Sequence, residues 1–167
     1  MKLLKNLNIL IVGFDSISTK KLGEKIASEL ELFFLDVYDF IVYDLDPNNM
    51  KLTCGVEYLI AQENRIVKSV STYEKTVVNI PYELFINNNN FNYYKNFVKI
   101  HILSTKSHIK KKVDSQNPQT FSTSLISSLI NYEERVQKLN SICDYTINLS
   151  EYSKIQKEIK KIIEEQK

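Results

Sequence analysis

Asn8-Ile9-Leu10-Ile11-Val12-Gly13-Phe14-Asp15-Ser16-Ile17-Ser18-Thr19-Lys20 reads as a strand, a turn and the start of a helix. Asn8 to Val12 is a short apolar, β-branched run, and Gly13 closes it. Beyond Lys20, the residues Leu22, Ile26, Ala27 and Leu30 recur at helical spacing. A phosphate-binding loop belongs at such a junction. The pattern G-x-x-x-x-G-K-[ST] needs a second glycine so that the backbone can wrap a phosphate, a lysine for its charge and a hydroxyl for magnesium. Only the first glycine, Gly13, is supplied; Ser18 stands at the second glycine, Thr19 at the lysine and Lys20 at the hydroxyl.

Outward from that segment, strand-like runs recur at Leu32–Val37, Thr76–Ile80, Val98–Leu103 and Tyr145–Leu149, with helix-compatible stretches between them. This alternation predicts a parallel α/β sheet. A helix is expected over Val56–Val70, where Leu59, Glu63, Ile66, Val67 and Val70 keep a mostly apolar face. The clearest helix is the last: Ser150 can cap it, and Tyr152, Ile155, Ile159, Ile162 and Ile163 form one stripe. Asn87 to Asn90 reads as a loop. Ser104 to Phe121, polar, basic and broken by Pro118, reads as a mobile excursion over one sheet edge.

The chain has 167 residues, enough for one domain with a real core, and a net charge of +2. So small a total charge points to neither a nucleic-acid partner nor an acidic membrane surface. Cys54 and Cys143 stand alone without metal-ligand spacing, as small buried residues do in a reducing compartment. No run is long and apolar enough for a membrane helix, and Lys2 to Leu10 lacks a signal-peptide core. The expected location is the cytoplasm. Gly13, Gly23 and Gly55 are the only glycines, which leaves little scope for glycine-built phosphate nests. His101, in an apolar strand, reads as a packed histidine, and His108 has no triad partner in view. Asp44 and Asp46, near Pro47, read as turn residues. Tyr93-Tyr94 reads as core or groove lining.

Four stretches, in order, carry a resemblance: Ile9 to Gly23; Phe34-Leu35-Asp36-Val37-Tyr38; Glu74-Lys75-Thr76-Val77-Val78 through Leu103; and Tyr132-Glu133-Glu134-Arg135 to Asp144-Tyr145-Thr146. Together they resemble the shikimate kinases, small phosphate-loop kinases of the nucleoside-monophosphate-kinase type. The resemblance implies a three-layer α/β sandwich around a five-stranded parallel sheet in the order 2-3-1-4-5. It also implies a single domain over 1–167, in which 38–75 is equivalent to a substrate subdomain and 104–121 to a lid.

Residue by residue, the resemblance carries little of the kinase machinery. The aspartate that orders magnesium through water is present as Asp36, but the one that holds substrate hydroxyls falls on Tyr38. The first carboxylate-binding arginine falls on Ile60, the three substrate-side glycines on Pro81-Tyr82-Glu83, and the lid arginine on Asn117. Gly13 and Lys20 remain as a vestigial phosphate loop, and Arg135 as the second carboxylate-binding arginine. Losing a bidentate arginine–carboxylate contact removes about 1.5–3 kcal/mol. Losing one preorganised donor to the transferring group costs about 10²–10³ in rate. Lys20 is no substitute for the lysine, because one residue along a helix is a rotation of about 100°.

The chain is therefore expected to be a shikimate-kinase-like protein without catalysis that acts in binding or assembly. Its expected partner is a protein, with no nucleic acid and no membrane. The alternatives are an authentic shikimate kinase with a divergent loop or changed substrate, and a regulator that retains weak nucleotide binding. No cofactor is expected, and Mg-ATP belongs to the site only if activity is retained.

Overall fold

In the computed structural model, residues 7–115, 129–149 and 152–165 are described. The first strand, β1 (Ile9–Gly13), leads through Phe14 and Asp15 into helix α1 (Ser16–Leu30). The chain continues through β2 (Phe33–Asp36), α2 (Val37–Leu45), α3 (Pro47–Cys54), α4 (Val56–Val70) and β3 (Thr76–Pro81). Next come α5 (Tyr82–Ile86), a 3₁₀ segment (Asn87–Tyr94), β4 (Val98–Leu103) and α6 (Lys106–Ser115). The remaining elements are α7 (Tyr132–Ile142), β5 (Tyr145–Asn148) and α8 (Tyr152–Glu165).

All strand pairs are parallel, in the order β2-β3-β1-β4-β5. The central strand β1 is buried throughout, and its period-two alternation divides the core. Ile9 and Ile11 pack with Leu22 and Ile26 of α1 and Ile155, Ile159 and Ile163 of α8. Leu10 and Val12 pack with Ile41 of α2, Val67 of α4, Phe85 of α5 and Leu139 of α7. Three layers result, with α1 and α8 on one face of the sheet and α2, α4, α5 and α7 on the other.

Three local expectations are corrected. The segment after β4 holds helix α6, because Thr105 caps it through the His108 N–H at 3.2 Å and Ile109 is buried. The asparagine run is an ordered 3₁₀ turn in which Asn88 and Asn89 take left-handed φ values of 51° and 55°. Its buried Asn90 donates to Asn64 and to the Leu84 carbonyl, both at 2.8 Å. Cys54 is exposed, whereas burial pushes the Cys143 thiol up to about 12. Ser150, Asn117 and Pro118 lie outside the described residues. Among the described residues, no helix is long and apolar enough to cross a membrane.

Candidate functional site

In an open parallel sheet, ligands bind beyond the carboxyl ends of the strands. At that end stand Gly13, Asp36, Pro81 and Leu103, followed by the first turns of α1, α2 and α5. The β1–α1 junction is short: Asp15 is already the N-cap of α1, so residues 16–20 are helix rather than loop. Gly13 is needed for close packing. A Cβ there would lie 2.7 Å from the Ile102 carbonyl oxygen and 3.0 Å from Thr19 Cγ2.

The centre of this region is the Asp15 carboxylate, which is 1 % exposed. It accepts the Ser18 N–H at 3.2 Å and the Ser18 hydroxyl at 2.7 Å. From α6, His108 Nε2 lies 3.1 Å away and the Lys112 ammonium 2.5 Å away. Lys112 also donates to Ser18 Oγ at 2.9 Å. Burial pushes the Asp15 carboxyl up, but the hydrogen bonds from Lys112, Ser18 and His108 outweigh it and hold the pKa below the ordinary value. A carboxylate thus fills the positive end of α1, where helix dipole and free N–H groups favour an anion. Neither Asp15 nor Lys112 stands out in the sequence as a site residue, and the sequence shows no triad partner for His108. The one usable signal was the i, i+4 spacing of His108 and Lys112, which puts both on one helix face.

Thr19 is fully buried, its hydroxyl donating to the Ser16 carbonyl at 3.1 Å. Lys20 turns to α2 and pairs with Asp39 Oδ2 at 2.6 Å. That bond raises the Lys20 pKa against some burial, and Asp36 and Glu24 add to it. Asp36 caps α2: its Oδ1 accepts the Asp39 N–H at 3.0 Å, and its Oδ2 accepts from Asn79 Nδ2 at 2.7 Å. Gly13, Lys20 and Asp36 therefore share one neighbourhood at the ends of β1 and β2.

Arg135, on α7, belongs to a second group. Its Nη1 donates to Glu83 Oε1 at 3.1 Å, and its guanidinium lies 5.0 Å from the Tyr82 ring centroid. Tyr82 and Glu83 open α5 directly after β3. An open cleft of about 620 Å³ runs along this pair, lined among others by Tyr82, Ile86, Glu134, Arg135 and Lys138. Phe14 joins the two groups, its ring centroid 5.2 Å from Tyr82, 5.7 Å from Tyr132 and 6.1 Å from His101. His101 is packed: its Nδ1 is 2.9 Å from Asn140 Oδ1, and burial lowers its pKa, with the Asn140 bond opposing. Tyr94 is likewise core, its hydroxyl donating to the Val67 carbonyl at 2.9 Å, whereas Tyr93 is 43 % exposed.

No protein-family model and no curated protein matches the chain by sequence. Solved structures do match. A shikimate kinase from Acinetobacter baumannii, solved in complex with shikimate, is 14 % identical over 98 % of this chain and 96 % of that one, with a TM-score of 0.77. The shikimate kinase from Bacteroides thetaiotaomicron is 12 % identical over 95 % and 98 %, with a TM-score of 0.74. That from Aquifex aeolicus is 20 % identical over 92 % and 94 %, with a TM-score of 0.70. With the strand order and the three layers, these likenesses establish that the chain has the shikimate-kinase-like phosphate-loop kinase fold.

Proposed function

We propose that this protein keeps the kinase fold without the kinase reaction and acts by binding another protein. The observation that carries the proposal is the buried Asp15 carboxylate at the N-terminus of α1, held by Lys112, His108 and Ser18. A nucleotide phosphate brought there would have to displace a carboxylate that already takes the Ser18 N–H and the Lys112 ammonium. The same substitution of internal for external charge recurs twice. Lys20 supplies a cation close to Asp36, where the fold family places magnesium, and Glu83 supplies a carboxylate to Arg135, where the family places the substrate carboxylate. The residues present do not fit Mg-ATP: the lysine position is the buried Thr19, and the loop that would wrap the phosphates is already helix.

Calorimetry with millimolar Mg-ATP and a coupled assay for shikimate-dependent ADP formation test this reading. The expected results are no saturable heat and no ADP above a no-protein control. A micromolar dissociation constant lost in Asp36→Ala would establish a nucleotide-binding regulator instead. Turnover in the ordinary kinase range of about 1–100 s⁻¹ would establish an authentic kinase with a divergent loop.

A further inference from the structure

Helix α6 has little of its own to hold it in place. It is 10 residues long and buries one side chain, Ile109, with Val113 half-buried one turn later. Among the described residues, no strand or other helix runs closely along it. An isolated helix shorter than about 12–15 residues is marginal in water. The composition of α6 adds to the difficulty: four lysines and His108 stand against one acid, Asp114, and Lys106 and Lys110 repeat one charge at i, i+4. Its helical form therefore depends on what it docks against. By contrast, α1 buries Thr19, Leu22, Gly23, Ile26 and Ala27, and β1 is buried throughout.

What α6 docks against is gathered at one carboxylate. Asp15 receives Lys112 at 2.5 Å and His108 at 3.1 Å, from positions one turn apart on α6. Lys112 also donates to the Ser18 hydroxyl, which itself donates to Asp15. Besides these bonds and Ile109, α6 has an exposed ion pair from Lys106 to Glu133 of α7, and exposed pairs hold little. The two sides of the contact are unequal. Asp15 keeps its bond from the Ser18 N–H without α6, so α1 retains its cap, whereas α6 without Asp15 loses the acceptor that Lys112 and His108 share. A short helix with few buried apolar contacts, joined to a well-buried body through one polar cluster, is the kind of unit that opens by itself.

We propose that α6 is a strap that docks and folds as one unit on the Asp15 carboxylate, and that its release uncovers the carboxyl end of β1 while the sheet stays folded. Asp15 is then a positioning residue for α6 as well as the cap of α1.

Hydrogen exchange of the full chain at neutral pH, read by mass spectrometry on fragments covering 106–115 and 9–13, tests this. The α6 amides should be protected at least about a hundredfold less than those of β1. Their exchange should stay flat in urea below the unfolding midpoint, because opening one short helix exposes little surface, whereas exchange from β1 climbs with urea. Lys112→Met should speed exchange over 106–115 at least about fivefold, and so should Asp15→Asn, which keeps a capping side chain on α1. Glu133→Gln, which breaks only the exposed pair, should change it less than about twofold. Exchange over 106–115 that climbs with urea in step with β1 would show that α6 opens only with the whole domain, and would overturn the proposal. So would unchanged exchange there in Lys112→Met, or a larger effect from Glu133→Gln than from either change at the Asp15 cluster.

Discussion

The Lys112 ammonium sits 2.5 Å from the buried Asp15 carboxylate, tying helix α6 to the first turn of α1. The two residues come from opposite halves of the chain, and His108 reaches the same carboxylate one helical turn earlier. The β1–α1 junction is held by bonds the protein makes to itself, and their contribution to stability is measurable.

Asp15→Ala removes the α1 cap and leaves Lys112 and His108 without their shared acceptor. We expect a loss of about 1–3 kcal/mol in urea unfolding. Lys112→Met should cost part of that, because His108 and Ser18 still hold the carboxylate, and the double variant should cost less than the sum. Strict additivity would mean that the two groups do not interact in solution.

Acid unfolding should show two steps. His101 is held neutral, its pKa lowered by burial with the Asn140 bond opposing, so the unfolded chain takes up that proton first. Stability should therefore begin to fall below about pH 6.5 and stop falling once the folded histidine also titrates. Asp15 has the opposite charge type and a depressed pKa. Its contribution is full above the unfolded value of about 3.9 and is lost as pH drops through the folded one. Urea midpoints across this range should lose the upper step in His101→Gln and much of the lower step in Asp15→Asn. A single step unchanged in both variants would contradict the assignment.

A lysine at position 19 should not confer nucleotide binding. Thr19 is fully buried, its Cγ2 close to where a Gly13 Cβ would stand, so the longer side chain of Thr19→Lys would overpack the β1–α1 junction. Overpacking costs about 1–3 kcal/mol. The expected outcome is a lowered urea midpoint and no ADP formation. A Thr19→Lys protein of unchanged stability that binds Mg-ATP would show that α1 reshapes into a loop.

Most of the sheet is legible in the sequence because β1, β3, β4 and β5 carry apolar β-branched residues and alternate with helix-compatible stretches. Helix α6 is not, because only Ile109 is buried on it and its lysines and serines imitate a loop. The Asp15 cluster is harder still. A capping aspartate has the same local signature whether solvent or two distant cations meet it, and about 90 residues separate the partners. Arg135 is similar: the sequence displays the cation, but Glu83 becomes its counter-ion only when β3 and α7 are brought together.

The terminal helix separates a self-contained domain from one completed by a partner. Its isoleucine stripe docks on the α1 side of the sheet, and Ile159 is 1 % exposed among Ile9, Ile11, Ile100 and Ile155. Ile159→Ala would leave a cavity there and should cost about 2–5 kcal/mol, the upper half applying if the neighbouring β-branched side chains cannot collapse into it. On a helix that was free in solution, the same change would be within about 0.5 kcal/mol. Urea unfolding of the two proteins, monitored by far-ultraviolet circular dichroism, distinguishes these values. A negligible shift would mean that α8 is released from the sheet in solution and that its stripe is a surface open to another chain.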